Sequence, residues 1–314
     1  MTINKDFIKK FAKTTQMGAY GSSIHVGKND KIACDKAAVE MMRKELNKIQ
    51  MKGKIVIGEG ELDKAPMLYI GEKVGNNNGD EFDIAVDPLE GTNFAAKNLP
   101  NALSVLAVTK KGDLFNAPET YMDKIAIGKD LPNKLVDLDN SIEKNIKLLC
   151  DAKGKKNTEI TACLLKRERH EKIIKSLISL NVKIKFITDG DVVGAMSVAN
   201  QKSHIDIFLG IGGGPEGVLA AAALSCLGCQ MQTRLMLQNE EEKKRCLEMG
   251  INDFDKKYYI NDLIKGDVIF CATGVTDGEL VKGIKDQGSK FSCETYVTHK
   301  SSNTSTIYRE VFEK

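Results

Sequence analysis

The sequence predicts a layered α/β protein of two lobes. The chain has 314 residues, above the usual size of one domain. Its opening third pairs amphipathic helices with β-rich runs, and from about Asn157 strand and helix patterns alternate regularly. Apolar residues make up 42% of the chain and charged residues 28%, enough apolar material for a sizeable core.

Taken in order, apolar spacing predicts helices over about Asn4 to Met17 and about Cys34 to Ile49, then a strand at Lys54 to Ile57 that stops at Gly58. The runs Asp83 to Val86 and Ala102 to Val108 continue a sheet to about Gly128. Ser141 to Lys156 reads as a polar helix with a lysine-rich end, and the lobe boundary is placed just after it. Residues 1–157 are then an N-terminal lobe of helices on a sheet, and residues 158–314 a C-terminal α/β lobe. In the second lobe, strands near Glu159 to Leu165, Val182 to Ile187 and Ile205 to Ile211 alternate with helices near His170 to Leu180 and Val192 to Ala199. With no internal repeat and no long Pro/Gly linker, the two lobes are expected to pack together with ligand between them.

Composition excludes several classes. No run approaches the roughly 20 apolar residues of a membrane helix, and Met1 to Gln16 carries charges throughout, so no membrane association and a cytoplasmic location are expected. Net charge is +3 and tryptophan is absent, which argues against nucleic acid as a partner. The eight cysteines are scattered singly, the pattern of reduced buried thiols. Cys226 and Cys229 form a C-x-x-C pair without a second ligand pair, so they read as small core residues at a helix end, not a zinc site.

The sharpest chemical signal is Asp83 to Thr92, a strand running into Asp87, Pro88, Glu90, Gly91 and Thr92. Pro88 should stop the ladder and force a turn. If that turn winds into a helix, Asp87 and Glu90 point to one side, and the amides of Gly91 and Thr92 face outward where phosphate oxygens bind. Alone, such a fragment is more often an acidic turn capping a helix. Two further segments repeat the theme. Glu59 lies between Gly58 and Gly60 at a strand end, and Gly210 to Gly217 follows a strand and opens the helix Val218 to Leu224 with Pro215 and Glu216 in its first turn. A dinucleotide fingerprint fails there because its third glycine falls on Pro215. Arg167 and Arg169 share a face only if their stretch is extended, where their guanidinium forks could hold one phosphate. Asp189 and Asp191 flank Gly190 at the next strand end, placed to bind sugar hydroxyls or to cap a helix.

Together, Ile55 to Glu61, Ala65 to Glu72, Asp83 to Thr92, Asn116 to Pro118 with Tyr121 and Met122, and Gly210 to Gly217 resemble the class II fructose-1,6-bisphosphatases, in the same order along most of the chain. The resemblance implies the sandwich of alternating helix and sheet layers of the lithium-sensitive phosphatases. It also implies Mg²⁺ or Mn²⁺ as cofactor, removal of the 1-phosphate of fructose 1,6-bisphosphate as a gluconeogenic step, and a homo-oligomer, dimer or tetramer. Carried over by motif, Asp35, Glu59, Asp87, Glu90 and Glu216 match metal positions, with Thr92, Glu59 and Asp87 catalytic. Lys31, Glu90, Gly91, Thr92, Tyr121, Arg167, Arg169, Asp189, Gly190, Asp191 and Gly213 match substrate-binding positions. The sequence departs from the family at Gly27-Lys28-Asn29-Asp30, where an arginine and a second glycine are usual, and at Glu168, between the two arginines. A sedoheptulose-1,7-bisphosphatase or inositol-monophosphatase-like activity is the alternative, and a non-catalytic sugar-phosphate sensor is disfavoured because no proposed ligand is lost.

Overall fold

The computed structural model describes residues 2–60, 67–200 and 203–314. Glu61, Ala65 and Pro66, part of the motifs above, lie outside the described residues. The fold is mixed α/β, and its backbone divides into two compact units, Met1–Phe115 with Ile264–Lys314, and Asn116–Leu263.

In the first unit, α1 (Asp6–Ser23) turns Phe7, Ile8 and Phe11 inward at helical spacing. It runs a turn and a half past the expected end at Met17 because Gly18 and Gly21 are contact points, not stops. A Cβ on Gly21 would lie 2.4 Å from the Ala37 carbonyl of the next helix, and one on Gly18 would lie 2.5 Å from Ser104 Oγ. Helix α2 (Lys31–Leu46) starts where Asp30 accepts a bond from the Ala33 amide at 2.9 Å. Strands β1 (Lys52–Ile57), β2 (Lys73–Val74) and β3 (Glu81–Glu90), the short helix α3 (Thr92–Ala96) and β4 (Leu103–Lys110) follow. β1 and β3 run parallel, so their carboxyl ends, which carry Glu59 and Asp87, finish on the same edge of the sheet.

The second unit begins with β5 (Tyr121–Ile127), which does not extend the first sheet. It lies between two later strands, and this moves the first division point to 115/116, away from the 157/158 boundary expected from sequence. The chain continues through α4 (Ile142–Lys153), β6 (Thr161–Leu165), α5 (Glu171–Ser179), β7 (Lys183–Ile187) and α6 (Asp191–Met196). β8 (Ile207–Gly213), α7 (Gly214–Leu227), β9 (Gln230–Met236), α8 (Glu240–Glu248), β10 (Lys257–Tyr259) and α9 (Ile260–Leu263) complete it. The six-stranded sheet has the order β10-β9-β5-β8-β6-β7. Alternate residues separate its faces: Ile125, Ile127, Leu164, Ile207 and Leu209 join Leu149 and Leu177 of α4 and α5, while Met122, Lys124 and Phe208 meet Gly217 of α7 and Gly194 of α6.

The chain then returns to the first sheet with β11 (Val268–Gly274), β12 (Lys285–Asp286), β13 (Lys290–His299) and β14 (Thr304–Glu313). The resulting order is β12-β13-β11-β4-β3-β1-β2, with β14 paired to β13. The core of this unit joins Phe7, Phe11 and Met42 of the helices to Ile55, Phe82, Ile84, Leu106 and Ile269 of the sheet. None of the eight cysteines is in a disulfide. Among the described residues, no helix is long and apolar enough to cross a membrane.

One buried charge tests the second unit's dependence on acid. Asp206, 3% exposed, accepts bonds from Lys153 and Lys155 and from the Thr161 amide at 2.9 Å. Burial pushes its carboxyl up, but the two ammonium groups and the amide outweigh burial, and its pKa lies below the usual 3.8. A depressed folded pKa contributes stability above the unfolded value, lost as pH falls through the folded one. The urea midpoint of the wild type should therefore fall more steeply below about pH 4 than that of Asp206→Asn, which should start lower and flatter. Parallel curves would show that Asp206 carries no acid sensitivity.

Candidate active site

Within each unit, several of the expected site residues lie at the carboxyl ends of parallel strands, where loops are free to vary and backbone amides point outward. Just past β1, a Cβ on Gly58 would lie 2.0 Å from the Leu68 carbonyl, and Gly60 adopts φ +108°, so glycine is required on both sides of Glu59. The Glu59 amide donates to the Leu68 carbonyl at 3.0 Å, and the Ile70 amide to the Gly60 carbonyl at 2.8 Å. Glu72, 4% exposed, clamps this loop: it accepts from the Leu68 amide and from Arg43 Nε of α2. The same helix presents Asp35, which hydrogen-bonds Glu59. Burial pushes the Asp35 carboxyl up, and the bond to Glu59 only partly opposes it.

At the end of β3 the expected turn takes another form. Pro88 interrupts pairing with β4 between Asp87 and Glu90, but the strand resumes, and Asp87 and Glu90 flank this irregularity instead of sharing a helix face. Asp87 Oδ1 accepts from the Leu89 amide at 3.1 Å, and Glu90 is 6% exposed. Gly91 then takes φ +80° and starts α3, while Thr92 Oγ1 donates to the Leu89 carbonyl at 3.3 Å. Lys31 is exposed at the first turn of α2. Asn29, where the family usually has glycine, holds φ +59°, a conformation asparagine tolerates better than other side chains.

Asp35 and Glu59 are thus two of the expected ligands, and they are hydrogen-bonded to each other. Two carboxylates in hydrogen-bond contact must share a proton or a cation, and oxygen donors suit a hard divalent ion. Among the described residues, no group of three or more His, Cys, Asp and Glu side chains is placed to hold a metal. Glu216 lies in the first turn of α7, in the other unit.

In that unit, β6, β7 and β8 are parallel, and Arg167 with Arg169, Asp189 to Asp191, and Gly213 with Glu216 follow their carboxyl ends in turn. Tyr121 pairs with Gly213 across β5 and β8, and the Arg169 guanidinium stacks 4.9 Å from the Tyr121 ring. Arg169 also donates through Nε and Nη2 to the Ile211 carbonyl at 3.0 and 2.8 Å. The extended geometry that a joint grip with Arg167 would need is not adopted, because Arg167 is extended but Glu168–His170 is a 3₁₀ turn. Asp191 is buried, and its Oδ2 meets Lys124 Nζ at 2.7 Å with side-chain exposures of 7% and 1%. A Cβ on Gly212 would lie 2.0 Å from that carboxylate, and one on Gly213 would lie 1.9 Å from Glu216 Oε2. The glycines of this loop leave room for charged side chains.

Two supporting residues escape a reading of the sequence. Lys124 lies in a stretch read only as a sheet continuing to about Gly128, and the one signal is its position two residues from Met122 on the same face. His170, fully buried, joins two of the loops: its Nδ1 faces the Leu165 carbonyl at 2.7 Å and its Nε2 faces the Ile211 amide at 2.7 Å. An amide can only donate, so Nε2 accepts and the proton sits on Nδ1. Burial pulls the His170 pKa down, which keeps the ring neutral.

The model of the family described as bacterial fructose-1,6-bisphosphatase, glpX-encoded, matches residues 5–312. A class 2 fructose-1,6-bisphosphatase of Haemophilus influenzae is 39% identical over 316 residues, 96% of this chain and 94% of that one. A Prochlorococcus marinus protein named D-fructose 1,6-bisphosphatase class 2/sedoheptulose 1,7-bisphosphatase is 42% identical over 297 residues, 90% of this chain and 89% of its own. Among solved structures, an IMPase from Thermotoga maritima aligns at 14% identity over 63% of this chain and 74% of its own, with a TM-score of 0.36, too loose to carry an argument. With a family match spanning nearly the whole sequence and a relative 39% identical over 96% of it, this chain belongs to the glpX-encoded bacterial fructose-1,6-bisphosphatases.

Proposed function

We infer that this phosphoric monoester hydrolase removes the 1-phosphate of fructose 1,6-bisphosphate, giving fructose 6-phosphate and phosphate as a gluconeogenic step in the cytoplasm. The observation that carries the chemistry is the Asp35–Glu59 pair, an acidic group of α2 hydrogen-bonded to one in the loop after β1. Divalent Mg²⁺ or Mn²⁺ bound by Asp35, Glu59, Asp87 and Glu90 would neutralise the phosphoryl group and acidify a water. Thr92, with a neighbouring carboxylate, orients that water. Arg169 keeps N–H groups beyond the two spent on Ile211, and these bind the phosphate that is not cleaved. Asp189, Gly190 and the Gly213 loop receive the sugar. The all-oxygen donor set supports Mg²⁺ or Mn²⁺ over softer-site metals.

Phosphate release from fructose 1,6-bisphosphate should vanish in excess chelator and return with Mn²⁺ or Mg²⁺. Full turnover without metal would overturn the reading. Arg169→Ala should raise KM about 10- to 100-fold, the loss of one charge-assisted contact, with a smaller effect on kcat. An unchanged KM would place Arg169 outside the substrate site. Sedoheptulose 1,7-bisphosphate is a second substrate to assay, because the name of the Prochlorococcus relative includes that activity.

A further inference from the structure

Arg169 spends Nε and Nη2 on a single acceptor, the Ile211 carbonyl, at 3.0 and 2.8 Å. Those two bonds fix the plane of the guanidinium, and the Tyr121 ring lies 4.9 Å from it. The fork formed by Nη1 and the second hydrogen of Nη2 is left pointing away from that carbonyl, an edge suited to gripping phosphate oxygens in pairs. Residue 169 is exposed, where an arginine ordinarily samples many rotamers. Whatever holds the Ile211 peptide therefore aims the fork.

Ile211 lies where a ladder opens. β6 and β8 pair in parallel at Ala162–Ile207 and Cys163–Phe208. On its other side β6 meets β7 through even-numbered residues: the Ile160 carbonyl accepts from the Lys183 amide at 3.0 Å, and the Lys166 amide donates to the Ile187 carbonyl at 2.8 Å. Backbone groups of successive residues point to opposite sides of a strand, so the odd-numbered residues of β6 face β8. Continued in the same register, the next rung would run from the Ile211 amide to the Leu165 carbonyl. The His170 ring stands in that gap instead, with Nδ1–H on the Leu165 carbonyl and Nε2 on the Ile211 amide, each at 2.7 Å. Gly210 makes room for it: φ is +136°, and a Cβ there would lie 3.0 Å from the ring. His170 is fully buried, so bulk water does not compete for either bond.

We propose that His170 is a positioning residue for substrate selection: spliced into the last rung between β6 and β8, its imidazole holds the Ile211 peptide, whose carbonyl aims Arg169 at the phosphate that is not cleaved. This role rests on the reading of Arg169 as the ligand of that phosphate. It makes a buried ring responsible for part of the preference for a sugar bisphosphate over a monophosphate. A merely structural histidine would act differently, since its loss would weaken the fold or lower turnover of every substrate alike.

The test compares kcat/KM for fructose 1,6-bisphosphate with that for fructose 1-phosphate, which lacks the remote phosphate, in the full chain with Mn²⁺. His170→Asn, which still reaches Leu165 but is too short for the Ile211 amide, should lower the ratio about 10-fold, chiefly through KM for the bisphosphate. His170→Gln, whose amide oxygen extends about as far as Nε2, should keep the ratio within about 3-fold of the wild type. Arg169→Ala should itself lower the ratio, and adding His170→Asn to it should lower the ratio no further, because two residues acting through one contact are not additive. An unchanged ratio in His170→Asn, equal losses on both substrates, or a further fall in the Arg169→Ala background would each overturn the proposal. Should His170→Asn fail to fold, His170→Gln decides: a stable protein with a ratio as low as that of Arg169→Ala would overturn it. A ratio untouched by Arg169→Ala would overturn the reading of Arg169 itself, and this role with it.

Discussion

Glu59→Gln should lower phosphate release from fructose 1,6-bisphosphate by several orders of magnitude at limiting Mn²⁺, and part of the loss should return as Mn²⁺ is raised. Glutamine keeps the size of the side chain and its backbone bond to Leu68, since that bond runs through the amide. What disappears is one negative charge in contact with Asp35. If the pair exists to hold a cation, that charge is what a divalent ion requires, and its removal acts on turnover. If the pair were structural, removing it would be felt in stability instead. The two readings also separate without metal: Glu59→Gln should unfold at the same or a higher temperature than the wild type, because one of two carboxylates in contact has been neutralised. A marked loss of thermal stability with turnover intact would remove Glu59 from the metal site.

Lys124→Ala should be the most destabilising single change in the second unit, about 3–5 kcal/mol, the usual penalty for stranding one partner of a buried pair. The Lys124–Asp191 pair is almost inaccessible, and bare glycines lie against both partners: a Cβ on Gly217 would be 3.2 Å from Lys124 Cε and one on Gly212 2.0 Å from Asp191 Oδ2. Replacing both residues, Lys124→Met with Asp191→Leu, should recover most of the stability, because no charge is left unmatched. Urea unfolding followed by far-ultraviolet circular dichroism reads both. A single mutant within about 1 kcal/mol of wild type would mean that water reaches the pair.

How much of this was legible differs by kind of information. Some local signals are legible: the glycines around Glu59 bound a loop, and Pro215 sits in the first turn of α7, whereas the cap at Asp30, which starts α2 three residues before the expected Cys34, is not among the readings. The end of α1 is not legible at Met17, because a glycine that admits a neighbouring element, as Gly18 and Gly21 do, looks the same in sequence as one that ends its own helix. The position of β5 was not legible at all, since its partners are separated from it by most of the second unit and nothing in Tyr121–Ile127 names them. The same holds for β11, β13 and β14, whose pairing with β4 and with one another is set by packing, not by local pattern. In the site, residue types were legible but their contacts were not. Asp191 reads as a sugar ligand until Lys124, distant in sequence, is found against it.

The division of the chain also has a consequence for its birth on the ribosome. β4 is buried along nearly its whole length and lies between β3 and β11, but β11 begins only at Val268. Between the synthesis of Lys110 and that of Val268 the nascent first unit presents an apolar strand with one side open, for about 10–30 s at ordinary elongation rates. The second unit has all its strands in one continuous stretch and can complete itself during that interval. Overexpression that outruns chaperone capacity should therefore yield aggregates nucleated by the first unit, seeded by a strand that the finished protein hides.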